Sequence, residues 1–142
     1  FHAKSPNIRG VYQAEVAKAI NETRCLITPH GRRRDFLARI DNNCLREGYS
    51  YVPQAVVSDN QKFGMLRIKD KCPDIEFLME AHDGTLAEIP IGTESKHFET
   101  IKEIMEQPTK FDSGTFIRDP VIIRCELGIS KGSWNDMEEI KL

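Results

Sequence analysis

A chain of 142 residues with 20 Lys and Arg against 22 Asp and Glu has a formal net charge of -2, so no overall field draws it to nucleic acid. Any contact with a polyanion has to come from a local basic cluster. With 39% apolar and 30% charged residues it has the composition of a soluble globular protein with one modest core, and no apolar run reaches the length that spans a bilayer. Cys25, Cys44, Cys72 and Cys125 lie far apart, with no CxxC pair and no histidine beside them, which excludes zinc-finger spacing and predicts reduced, mostly buried thiols.

Ser5-Pro6 offers an N-cap and a first-turn proline, and Ile8, Tyr12, Val16 and Ile20 follow at helical spacing, which predicts a helix from about Pro6 to Glu22. Leu26, Ile27 and Thr28 form a short strand. Gly31 ends it and the chain returns through Arg32, Arg33 and Arg34, as a hairpin whose far arm is basic. From Ile40, Leu45, Tyr49 and Val52 keep a loose helical spacing to Pro53, and Val56, Val57, Phe63 and Leu66 continue it to Cys72-Pro73. Two helices in series, bent at Pro53, are expected. Between Ile75 and Pro90, Ile75, Phe77 and Met79 alternate with Glu76, Leu78 and Glu80, and Leu86 and Ile89 follow a His82-Asp83-Gly84 turn. The Asp-Gly pair marks a tight hairpin turn, which needs positive φ at its centre. Thr93 can cap a helix with Phe98, Ile101, Ile104 and Met105 as its buried stripe, stopped by Pro108. Lys110 to Asp119 reads as a loop turning at Ser113-Gly114, Val121 to Leu127 as a third strand, and Trp134 as a residue packed on the sheet. The class is α+β, with long helices followed by a small antiparallel sheet.

Four segments carry chemistry through their order. They are Thr28-Pro29-His30-Gly31-Arg32-Arg33-Arg34-Asp35-Phe36, then Arg46-Glu47-Gly48-Tyr49-Ser50-Tyr51-Val52-Pro53-Gln54, then Ala81-His82-Asp83, then Leu127-Gly128-Ile129-Ser130-Lys131-Gly132-Ser133-Trp134. This succession resembles the C-terminal part of a family A DNA polymerase, of the bacterial or phage type, nearly end to end. The family arranges TPxGRRRxF, a helix reading RExYxYxPQ, a strand-turn-strand with His-Asp, and a terminal strand with a Gly-x-x-Trp-like tail in that order. The resemblance implies a palm-like sheet with a catalytic hairpin, residues 1–39 at the base of the fingers and residues 40–142 in the palm.

On residues alone, Asp83 sits at a hairpin tip that a metal and a phosphate can reach, although Asp-Gly pairs also occupy turns for backbone reasons only. The resemblance makes Asp83 one catalytic metal ligand, with Mg2+ in a two-metal site shared with an upstream strand that this chain lacks. It also places His82 beside the primer terminus; a histidine simply held in the turn is the competing reading. Many family members carry Glu after His-Asp, where Gly84 stands here. Glu80 and Glu88 supply acidity nearby or form a solvated face. Arg32, Arg33 and Arg34 can clamp duplex phosphates, at most two of them on one face, or protect a strand edge. Arg46 and Gln54, two helical turns apart, match residues that reach the minor-groove side of the primer-template, with Ser50 as a weaker third contact. Phosphohydrolases that also carry His-Asp need further histidines with acidic partners, and His2, His30 and His97 do not recur in that way.

The expected function is the C-terminal catalytic portion of a template-directed DNA polymerase, a nucleotidyltransferase inactive as this chain alone. Its partners are primer-template DNA, a dNTP and an upstream polymerase fragment or chain, in the cytoplasm of a bacterium or phage-infected host, with no membrane. A chain beginning at Phe1 fits a piece of a longer or split protein. The alternative is a non-catalytic module that binds duplex DNA or another replication protein.

Overall fold

The computed structural model describes residues 5–109 and 120–140, with the Trp134 side chain excepted. The expected Ser113-Gly114 turn and the packing of Trp134 lie outside the described residues. The architecture is α+β: among the described residues are helices α1 (Ala14–Thr23), α2 (Asn42–Lys71) and α3 (Glu94–Met105), with three two-stranded antiparallel sheets. The sheets pair β1 (Cys25–Ile27) with β2 (Arg33–Asp35), β3 (Glu76–Ala81) with β4 (Gly84–Glu88), and β5 (Leu127–Ile129) with β6 (Glu138–Ile140). No helix among the described residues is long and apolar enough to cross a membrane. Two compact units divide at Asp59 and Asn60, inside α2.

In the first unit, a π-helical segment, Ile8–Gln13, leads into α1, so the first helix is not α-helical throughout as its spacing suggested. Val16 and Ile20 of the expected stripe are fully buried. Arg24 ends the helix in the left-handed conformation at φ 53°. Gly31, at φ 82°, lets the chain return into β2. Asp41 caps α2, its Oδ1 accepting from the Asn43 and Cys44 backbone N–H groups, each at 2.9 Å. A Cβ on Gly48 would stand 2.3 Å from Ile20 Cδ1 and 3.2 Å from Val16 Cγ1, so a glycine here lets α1 and α2 approach.

Pro53 does not divide α2, which runs 30 residues through it. Proline removes the hydrogen bond to the carbonyl four residues back. That carbonyl belongs to Tyr49, and the Tyr12 hydroxyl donates to it at 2.8 Å. A tertiary contact thus supplies the missing donor, and burial pushes the Tyr12 hydroxyl up to about 12.

In the second unit, Ile68, Cys72, Ile75 and Ile104 form a buried cluster with Phe77, Ala87, Ile89, Ile101 and Met105 packed against it. Each fully buried isoleucine contributes roughly 1.5–3 kcal/mol of transfer free energy. Thr93 precedes α3 without capping it through its side chain. The Gly92 and Glu94 backbone N–H groups instead hold the Glu94 carboxyl below its usual range. His97, outside the expected stripe, is buried with its Nε2 3.0 Å from Asp74 Oδ2. The third strand is Leu127–Ile129 rather than Val121 to Leu127, and it pairs with Glu138–Ile140. Cys44 and Cys72 are buried, Cys25 and Cys125 half-buried, and all four are free thiols.

Candidate functional site

The His-Asp hairpin belongs to the second unit. Ala81 pairs with Gly84, so His82 and Asp83 alone make a two-residue loop, and both are exposed. The positive φ falls on His82, at 55°, and not on Gly84, which is the first residue of β4. Histidine tolerates the left-handed region better than most residues with a Cβ, so the loop closes without glycine at its centre. The Asp83 side chain makes no hydrogen bond or ion pair among the described residues.

A bulge resets the hairpin. Phe77 pairs with Ala87 and Met79 with Leu86, leaving Leu78 as the extra residue. Alternation therefore fails at that point. Phe77 packs against the buried cluster, and Glu80, three residues later, lies on the same side of the hairpin but stays exposed, its carboxylate 3.5 Å from Lys62 Nζ. Met79, expected inside, is 46% exposed and shares the other face with Leu86. Glu80 is thus tied to the helix, whereas Glu88, opposite Glu76, stays on the exposed face.

On the helix side, Gln61 is buried, and its Nε2 donates to the Gly84 carbonyl at 2.9 Å and to Thr85 Oγ1 at 2.8 Å. Asp83 is thereby followed directly by a braced residue. Among the described residues no group of three His, Cys, Asp or Glu side chains can hold a metal. The carboxylate at the tip of the hairpin is that of Asp83.

The basic hairpin belongs to the first unit, and each of its arginines meets a carboxylate. Arg32 pairs with Asp59, whose side chain is 9% exposed, and Arg33 with Asp35 at 2.8 Å. Arg34 pairs with Glu47 at 2.9 Å, and its guanidinium lies 5.1 Å from the Phe36 ring centroid and 5.3 Å from that of Tyr51. Strand alternation puts Arg32 and Arg34 on one side, where their partners on α2 wait, and Arg33 on the other, opposite Ile27. The Arg33 guanidinium holds the Asp35 carboxyl below its usual range. The cluster that is densest in sequence is therefore locally neutralised.

Arg46, Ser50 and Gln54 recur every four residues along α2 and are all exposed. The Ser50 hydroxyl is turned onto its own helix, donating to the Arg46 and Glu47 carbonyls at 3.2 Å. Arg46 and Gln54 make no side-chain hydrogen bond or ion pair among the described residues. They form the α2 face with donors available to a ligand.

Asp59 and Gln61 were missed in sequence, although a signal existed. Asp59 follows Val52 and Val56 on the buried stripe, and Gln61 precedes Ile68 and Cys72 at helical spacing. A polar residue on an apolar stripe requires a partner. No protein-family profile and no curated protein matches this chain.

Proposed function

We propose that this chain is the C-terminal portion of a template-directed DNA polymerase, supplying one metal-binding carboxylate, Asp83, and part of the grip on the primer-template. The observation that carries the reading is the exposed two-residue loop of His82 and Asp83 between two paired strands, with a carboxylate engaged by no other described side chain. A single exposed carboxylate fits one ligand position of a hard cation, and the remaining ligands come from an upstream segment or partner chain. Bound Mg2+ would supply activation of the primer hydroxyl and charge neutralisation at the phosphates. His82 presents an imidazole beside that carboxylate, suited to hydrogen bonding with a phosphate at the primer end. Arg46 and Gln54 supply donors for minor-groove acceptors, which lie at similar positions in every base pair and report pair geometry instead of sequence. The dNTP is left to the upstream segment. This reading places the protein in the cytoplasm of a bacterium or a phage-infected cell.

The decisive experiment is primer extension by the assembly of this chain with its upstream segment. Asp83→Ala should reduce extension on the order of a thousandfold, since several kcal/mol of charge stabilisation convert at about 1.36 kcal/mol per decade. Duplex binding should persist. Extension at the wild-type rate overturns the proposal. An assembly that binds duplex but never extends a primer favours the non-catalytic module.

A further inference from the structure

We propose that Gln61 is a positioning residue for the His82-Asp83 turn, fixing the direction in which the Asp83 carboxylate leaves the hairpin. This rests on the reading of Asp83 as a metal ligand. Gln61 is 4% exposed, and its one amide nitrogen holds both Gly84, the residue after Asp83, and Thr85, the next along β4. Thr85 passes the contact on, its hydroxyl donating to Met65 Sδ at 3.6 Å. Across the hairpin, Lys62 holds Glu80, the strand partner of Thr85. Both strands are thus tied to one turn of α2 within two residues of the loop.

Core filling alone does not explain this side chain. Gln61 Oε1 is buried with no hydrogen-bond partner among the described residues, and an orphaned buried acceptor costs roughly 1–3 kcal/mol. Methionine would fill nearly the same volume without that penalty. What methionine lacks is the donor pair. A two-stranded hairpin is marginal by itself, and this one closes through a non-glycine residue at φ 55°, so the direction of its tip needs an external anchor. A carboxylate that wanders by an ångström is a poor metal ligand, and the residues that orient ligands contribute strongly to metal affinity.

The test uses the whole 142-residue chain, labelled for NMR, with Mn2+ alone as the metal probe. In wild type, Mn2+ should broaden the Asp83 amide, and Asp83→Ala should abolish the effect. In Gln61→Met, the order parameters of the His82 and Asp83 amides should fall from about 0.85 to below about 0.6, while those of Ile75 and Ile104 hold. The Mn2+ concentration for half-broadening should rise on the order of tenfold. Thr85→Val should act in the same direction, and Thr85→Ser, which keeps the hydroxyl, should restore both readouts. Folded Gln61→Met and Thr85→Val chains with an unchanged turn overturn the proposal, and so does unfolding of both, which would make the brace purely structural. If wild type shows no Mn2+ broadening, the metal reading fails, while the order parameters still decide whether Gln61 sets the turn.

Discussion

The two charged hairpins differ in what their charges have left to offer. In β1–β2, three adjacent arginines are each engaged by a carboxylate, Asp59, Asp35 or Glu47, and one is also stacked between two rings. In β3–β4 the tip aspartate has no such partner among the described residues, while the backbone beside it is braced by Gln61. Charge density in a sequence counts ions. A ligand responds to those whose lone pairs or donors are not already used, and to how firmly they are held.

The largest stability effect expected from this contrast is in the basic hairpin. Arg32→Ala strips the buried Asp59 carboxylate of its cation and should cost about 2–3 kcal/mol in urea unfolding. That is less than a fully buried pair loses, because the Arg32 side chain is 45% exposed. Arg34→Ala should cost about 1 kcal/mol through its lost ring contacts and exposed ion pair. Arg33→Ala should leave the midpoint where it is. Equal losses at all three positions would erase the distinction between structural and exchangeable arginines.

Duplex binding sharpens the same comparison. Arg46→Ala should lower the slope of log K against log salt by about 1, because a guanidinium placed in the minor groove displaces condensed counterions, whereas Arg32→Ala should leave that slope unchanged in chains that remain folded. A slope that responds to Arg32 and not to Arg46 would return the DNA contact to the basic hairpin.

A third effect reports on the Pro53 repair in the helix behind that hairpin. The Tyr12 pKa is raised by burial from 10.0 to about 12, so the neutral hydroxyl is favoured in the folded state. Its contribution is complete below pH 10.0 and is lost as pH rises through about 12. Tyr12→Phe should lower stability at neutral pH by about 1 kcal/mol and flatten the alkaline limb of the stability profile. An alkaline limb unchanged in the variant would assign it to other groups.

A small effect is expected at Gly84. Its φ is not positive, and an added Cβ would stand 3.4 Å from the Ala81 carbonyl oxygen, at ordinary contact distance. Gly84→Glu, which introduces the acid that follows His-Asp in many family A polymerases, should change stability by no more than about 0.5 kcal/mol. A large loss would mean that the turn needs glycine after all.

Much of this was legible in the sequence because it depends on local spacing. The first helix stripe, the basic hairpin, the His-Asp hairpin and the third helix all follow from apolar periods and turn residues, and Val16, Ile20, Ile75 and Ile104 are buried as their positions require. The break at Pro53 was misread because the donor that repairs it, Tyr12, lies 37 residues upstream of the Tyr49 carbonyl it reaches. The alternation of Ile75, Phe77 and Met79 failed because a bulge is a property of two paired strands. The third strand was misplaced because its length is set by the partner at Glu138–Ile140.

By itself the sequence determined the α+β class, the approximate positions of its helices and hairpins, and the placement of Asp83 at a turn, since each depends on residues within a few positions of one another. Tertiary structure alone decided which charged groups remain available. Pairing of Arg32 with Asp59, of Glu80 with Lys62 and of Gln61 with Thr85 brings together residues 18 to 27 positions apart, and no local period records such contacts.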